Sequence, residues 1–174
     1  MKNILKSIAV CLLLVATWRC NQPPDGAIAT ESDGKIIFTD SIALKQSITA
    51  DLRGDIPDLN ISQTKIRQLN TIGERSEKIY VLQLSDVNNQ TRIVKHVFRA
   101  DNKFYLYESL SEEQQKKYED NLFYQAYFAC SGSDSKECEP NVAIIENELH
   151  WGCGTKMVCD PKSACKGSEI LVVK

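Results

Sequence analysis

Five cysteines crowd into the last 45 residues of the chain: Cys130, Cys138, Cys153, Cys159 and Cys165. Their spacing is C-x7-C-x14-C-x5-C-x5-C, and the 109 residues between Cys20 and Cys130 hold none. The stretches between these cysteines are rich in Ser, Gly, Asp and Lys. Such a segment buries too little apolar surface to offset the entropy of ordering it. A disulfide that closes a loop of roughly 15 residues contributes about 3 kcal/mol against that entropy. The pattern therefore predicts a C-terminal segment, residues 130–174, stapled by at least two disulfides drawn from these five cysteines. Cys130 and Cys138 are close in sequence, and the polar run from Ser131 to Lys136 can return the chain, so theirs is the bridge most easily closed.

A metal site is the rival reading of the same residues. Cys153, Met157 and Cys159, with His150 nearby, are soft donors of the kind that hold copper or zinc. The chain has no C-x2-C knuckle and no H-x3-H pair, so no metal ligand is assigned and the soft-metal reading stays an alternative. A Cys153–His150 nucleophile and base is disfavoured, since a three-residue spacing on a strand points the two side chains to opposite faces. Nor does the chain contain a P-loop, GxGxxG, HExxH or GxSxG motif. No catalytic residue and no cofactor is expected, and the reading leans towards a non-enzymatic protein. A hydrolase whose residues meet only in the fold is a further alternative.

The N-terminus reads as an address. Lys2 and Lys6 precede an apolar run of about ten residues, Ile8 to Thr17. That is half of the roughly 20 residues a membrane-spanning helix needs, and it suits the apolar region of an export signal. Cys20 follows, then the polar stretch Asn21-Gln22-Pro23-Pro24-Asp25-Gly26. This layout resembles a bacterial lipoprotein precursor, with residues 1–19 as signal peptide and Cys20 as the lipid-attachment residue. Thr17 and Arg19 stand where the usual motif has Leu and a small residue, and cleavage after Ala16 or Thr17 would instead release a secreted protein. The resemblance implies a membrane partner, held through an N-terminal lipid, and a place in the cell envelope. It also sets a parity problem: with Cys20 lipidated, one of the five C-terminal thiols has no partner within the chain. With Cys20 available, six cysteines allow 15 connectivities.

Charge narrows the partners. The whole chain has a formal charge of −2, and losing residues 1–19 removes three basic residues and no acid, leaving −5. Neither value offers the basic footprint that nucleic acid requires.

Between these ends the chain reads as an α+β domain. Residues 20–34 look like a flexible tether, and residues 35–129 like the domain proper, with 130–174 as a cysteine-rich part of the same unit. Lys35–Thr39 is an expected strand. Asp40 or Ser41 caps a helix through Ala43, Leu44, Ser47, Ile48 and Leu52. Ile61–Leu69 is a further candidate strand. Lys78–Leu84, Thr91–Phe98 and Lys103–Tyr107 are rich in β-branched and aromatic residues, and turn residues separate them. They predict an antiparallel meander packed by one or two helices, in which Tyr80, Leu82 and Leu84 share a buried face. The strand, helix and meander order resembles open-faced α+β sheets of the cystatin type, a likeness of layout only.

Ser111 and Gln114 form an expected capping box. It opens a helix that runs through Tyr118, Leu122, Ala126 and Cys130, although Leu122–Phe128 would also suit a strand. A hairpin over Val142–Glu146 and Glu148–Trp151, turning near Asn147, and a strand over Glu169–Lys174 complete the chain. His96 is expected to be packed and hydrogen-bonded, and Trp151 to pack against a disulfide. Asp58, Glu74 and Glu77 are expected to be solvated. Asn60 and Asn89 match glycosylation acceptors, which matter only in a eukaryotic secretory route. The ligand or protein partner itself is not legible here.

Overall fold

A computed structural model describes residues 26–73, 75–88, 90–132, 138–154 and 165–172. The expected signal, Cys20, Glu74, Asn89, Met157 and Cys159 lie outside the described residues.

The chain opens with a hairpin, β1 (Ala27–Ser32) and β2 (Lys35–Phe38). Asp33 and Gly34 both take positive φ, 51° and 72°, as a tight two-residue hairpin turn demands. Ala27 and Ala29 point into the core. The flexible tether expected up to residue 34 therefore does not reach that far. Its Asp and Gly make a turn, and the small alternating residues before them make a strand.

Helix α1 (Ser41–Leu52) starts where Asp40 accepts hydrogen bonds from the backbone N–H of Ile42 and Ala43, at 3.0 and 2.9 Å. Strands β3 (Ile61–Asn70), β4 (Ile72–Gly73), β5 (Lys78–Asp86), β6 (Thr91–Ala100) and β7 (Lys103–Tyr105) follow. β3, β5 and β6 pair antiparallel in sequence, and β7 folds back on the end of β6. This is the expected meander, extended by β3.

The run after Ser111 departs from expectation. The capping box is present, with the Ser111 hydroxyl accepting from the Gln114 N–H and the Gln114 side chain from the Ser111 N–H. The helix it opens, α2 (Glu112–Lys116), is short. A second short helix, α3 (Leu122–Gln125), restarts at Asn121, whose side chain accepts from the Phe123 N–H. Tyr127–Ser131 is then a strand, β8. Helical spacing loses here because the aromatic run 127–128 has a waiting partner: residues 91–95 of β6. A continuous helix would have left that edge of β6 unpaired. β6 thus serves two partners on one edge, β8 along its first half and β7 along its last three residues, while β5 occupies the other edge. β1 and β2 extend the sheet beyond β7, and β11 (Lys166–Ile170) extends it beyond β8. The last strand starts three residues earlier than expected.

Strands β9 (Pro140–Ile145) and β10 (Glu148–Cys153) form the expected hairpin, turning at Glu146 and Asn147 with φ of 51° and 67°. β4 joins them as a parallel third strand. That junction needs Gly73. Its φ is +125°, and an added Cβ would lie 2.5 Å from the Ile144 carbonyl oxygen.

Two cores result, one on each face of β5. Leu82 and Leu84 cluster with Ile48, Leu52, Ile66, Ile93 and Phe104. Ile79 and Val81 cluster with Val94, Phe123, Phe128, Val142, Trp151 and four cysteines of the C-terminal segment, Cys130, Cys138, Cys153 and Cys165. Leu82 and Leu84 are fully buried and Tyr80 partly so, as the alternation predicts. The opposite face is buried too, Gln83 and Ser85 included. Residues 138–153 are therefore not a thinly packed appendage. They supply the second core.

Candidate functional site

Within the second core, the backbone brings cysteines from three strand ends together. Cys130 lies in β8, Cys153 ends β10, and Cys165 immediately precedes β11. Cys130 and Cys153 stand at disulfide distance, with sulfurs 2.09 Å and Cα atoms 5.9 Å apart. The Cα separation is ordinary for a bridge. The sulfurs of Cys130, Cys153 and Cys165 all lie within 4.8 Å of one another, and all three residues are buried. The bridge expected between Cys130 and Cys138 is not formed. Cys138 is buried and makes no disulfide, whereas the β9–β10 hairpin brings Cys153 to Cys130. One bridge is seen among the described residues where at least two are expected. Of the soft donors read from the sequence, His150 lies exposed on β10, and Met157 and Cys159 lie outside the described residues.

An ionic clamp holds the same segment to the sheet. Glu139 takes Arg67 on one carboxylate oxygen and Arg92 on the other, the second contact at 2.7 Å. Arg67 also donates to the Pro140 carbonyl at 3.0 Å. Arg92 is the cross-strand partner of Cys130, so it shares that cysteine's face of the sheet. No motif announced this clamp, since Arg67 and Glu139 are 72 residues apart.

An aromatic cluster lies further along the same face. His96 is 8% exposed, and its Nδ1 has no hydrogen-bond partner. The rings of Phe98, Tyr124 and Phe123 surround it at 4.5, 4.9 and 5.6 Å between centroids. Burial lowers its pKa from 6.5 to about 4, because charging the imidazole would bring no compensating contact. His96 is thus packed, as expected, but that nitrogen is not hydrogen-bonded. Burial, with smaller contributions from Tyr118 and Glu77, raises the pKa of Tyr124. On the opposite face, burial raises that of Tyr127. Trp151 stacks on Phe123 at 4.4 Å and donates from Nε1 to the Phe123 carbonyl at 3.3 Å. It belongs to the same buried cluster as Cys130 and Cys153.

Outward from this cluster, Phe98, Tyr105, Leu110 and Tyr118 line a groove of about 480 Å³, with Gln114 and Lys117 among its polar groups. Phe98 and Tyr118 pack at 4.8 Å, and the Lys117 ammonium stands 5.3 Å from the Tyr118 ring centroid. Arg99 also lines the groove, but its donors are engaged by Glu31, the Asp101 carbonyl and the Tyr80 hydroxyl. The groove's walls are mixed, with Arg99, Ser109, Gln114 and Lys117 beside the aromatic rings. Sequence reading missed it because its residues come from β6, β7, the turn after β7 and the region of α2. Asp58 is exposed, as expected of a solvated acid, whereas Glu77 pairs with Arg75 at 2.7 Å.

No family model matches this chain, and no curated protein or solved structure is detectably similar to it.

Proposed function

We propose that this protein is an exported, lipid-anchored and non-enzymatic binding module of the cell envelope, with residues 1–19 as its signal and Cys20 as its anchor. The observation that carries the reading is the Cys130–Cys153 pair inside the second core. A bridge of that kind persists in oxidising compartments outside the cytosol, which is where the N-terminal pattern would send the chain. Burial pushes His96, Tyr124 and Tyr127 towards their neutral forms and away from neutral pH. That supports a packing role over acid–base catalysis. The groove lined by Phe98, Tyr105 and Tyr118 is where a ligand would sit, with Lys117 favouring one that carries negative charge.

Fractionation of bacteria expressing the full chain tests the anchor. The expected result is recovery in the membrane fraction with a lipid-modified Cys20, and release by Cys20→Ser. A mature N-terminus at Thr17 or Trp18 without lipid would refute it. Retention of the protein on isolated cell-envelope material tests the groove. Tyr118→Ala should reduce it, and equal retention of both proteins would remove the groove from the proposal.

A further inference from the structure

The sulfurs of Cys130, Cys153 and Cys165 converge without depending on the bond between two of them. β8 is hydrogen-bonded on both sides, with Cys130 opposite Arg92 of β6 and Gly167 of β11. Cys153 is held opposite Pro140 by the β9–β10 ladder, and Gly154 donates to the Glu139 carbonyl at 2.8 Å. Cys165 leads directly into β11, which pairs with β8. These backbone ladders fix all three positions, so opening the bond leaves three sulfurs facing one small volume.

Thiolate sulfur selects soft cations. Zinc in a structural site takes four ligands in a tetrahedron, whereas the group identified among the described residues has three members, all sulfur. Cu(I), a soft monovalent ion, fits a set of sulfurs alone. Charge near the site also suits thiolates. Arg92 shares the face of Cys130, and a neighbouring cation favours the thiolate form.

We infer that the reduced protein binds one Cu(I) ion through Cys130, Cys153 and Cys165, so that this centre exists either as a disulfide or as a copper site. Two electrons from a dithiol reductant open the Cys130–Cys153 bond, the two sulfurs each gain a proton, and the dithiol becomes a disulfide. Cu(I) then displaces thiol protons to solvent as sulfur–copper bonds form. The metal does not change oxidation state.

The test is an anaerobic titration of the dithiol-reduced protein with Cu(I), in competition with a chromophoric Cu(I) chelator. One equivalent should bind. Cys165→Ser leaves the Cys130–Cys153 bridge intact in the oxidised protein, which allows the variant to fold before reduction. After reduction it should bind about 100-fold more weakly. Cys138→Ser should bind as the parent does, since Cys138 is not among the three converging residues. X-ray absorption should show sulfur neighbours only. Equal weakening by Cys138→Ser and Cys165→Ser would overturn the inference. So would a reduced protein that has lost its near-ultraviolet circular dichroism yet still takes up copper, since the binding would then belong to an unfolded chain. The experiment does not involve Cys20 or the groove, so its failure leaves the proposed export and ligand site standing.

Discussion

The two faces of β5 are closed in different ways. On one face, Leu82 and Leu84 meet Ile48 and Leu52 of α1, a helix capped by its own neighbour Asp40 and separated from β3 by a short connection. That core is largely aliphatic. On the other face, Ile79 and Val81 meet Trp151, Phe123, Phe128 and the cysteines. That cover is drawn from the last third of the chain and is held by a disulfide, the Glu139 clamp and the β4–β9 junction. A helix brings its own hydrogen bonds and needs only an apolar stripe. A small hairpin with polar flanks has less to offer and is fastened at several points.

The largest effect expected from breaking this comparison lies on the helix face. Leu82→Ala should cost roughly 3–5 kcal/mol, read as a drop in the urea midpoint for the whole domain. A loss below about 1 kcal/mol would show that the Leu82 core contributes little. Next is the bridge, whose cysteines are 23 residues apart. Cys153→Ala should cost about 3 kcal/mol through the larger unfolded ensemble. Its signature differs: in protein lacking residues 1–19, Trp151 is the sole tryptophan, and its fluorescence should change before the far-ultraviolet signal does. Coincident transitions would mean that the two faces unfold as one.

Acid sharpens the contrast further, because His96 lies on the face of Val94 and Phe98 rather than on the helix face. Folding holds its pKa at about 4 against 6.5. Between those values the unfolded chain binds the extra proton, so stability falls as pH drops from about 6.5 to about 4 and levels off below. The loss attributable to this group is about 3 kcal/mol. His96→Gln should flatten that part of the stability–pH curve, and an unchanged slope would assign the acid sensitivity elsewhere. The smallest effect is at the start of α1. Asp40→Ala should cost about 1 kcal/mol by removing the cap, leaving Trp151 fluorescence in the folded state unchanged.

Local signals in the sequence carried the elements that form from their own near neighbours. Asp40, the apolar spacing of α1, the β-branched strands and Asn147 each act on near neighbours, and each sits where local chemistry puts it. The failures share one cause. Residues 127–130 became strand because β6 offered an edge some 35 residues earlier, and Asp33-Gly34 became a turn because β1 pairs with both β2 and β7. The choice of Cys153 over Cys138 as partner of Cys130 rests on β9 and β10 completing their path first. Proximity along the chain, the only distance a sequence displays, favoured the wrong pair. The groove was illegible for the same reason, since no two of its aromatic walls are adjacent in sequence.

The spacing of Cys130, Cys138 and Cys153 sets an order of events. In an unfolded chain the small loop closes most readily, so oxidation before folding would join Cys130 to Cys138 and trap β8 away from its place. Cys153 can win only after β8 has docked on β6 and the β9–β10 hairpin has turned back. Native pairing is therefore a record that folding has already happened. A chain oxidised too early would need a thiol–disulfide exchange catalyst to undo the error before its second core could form.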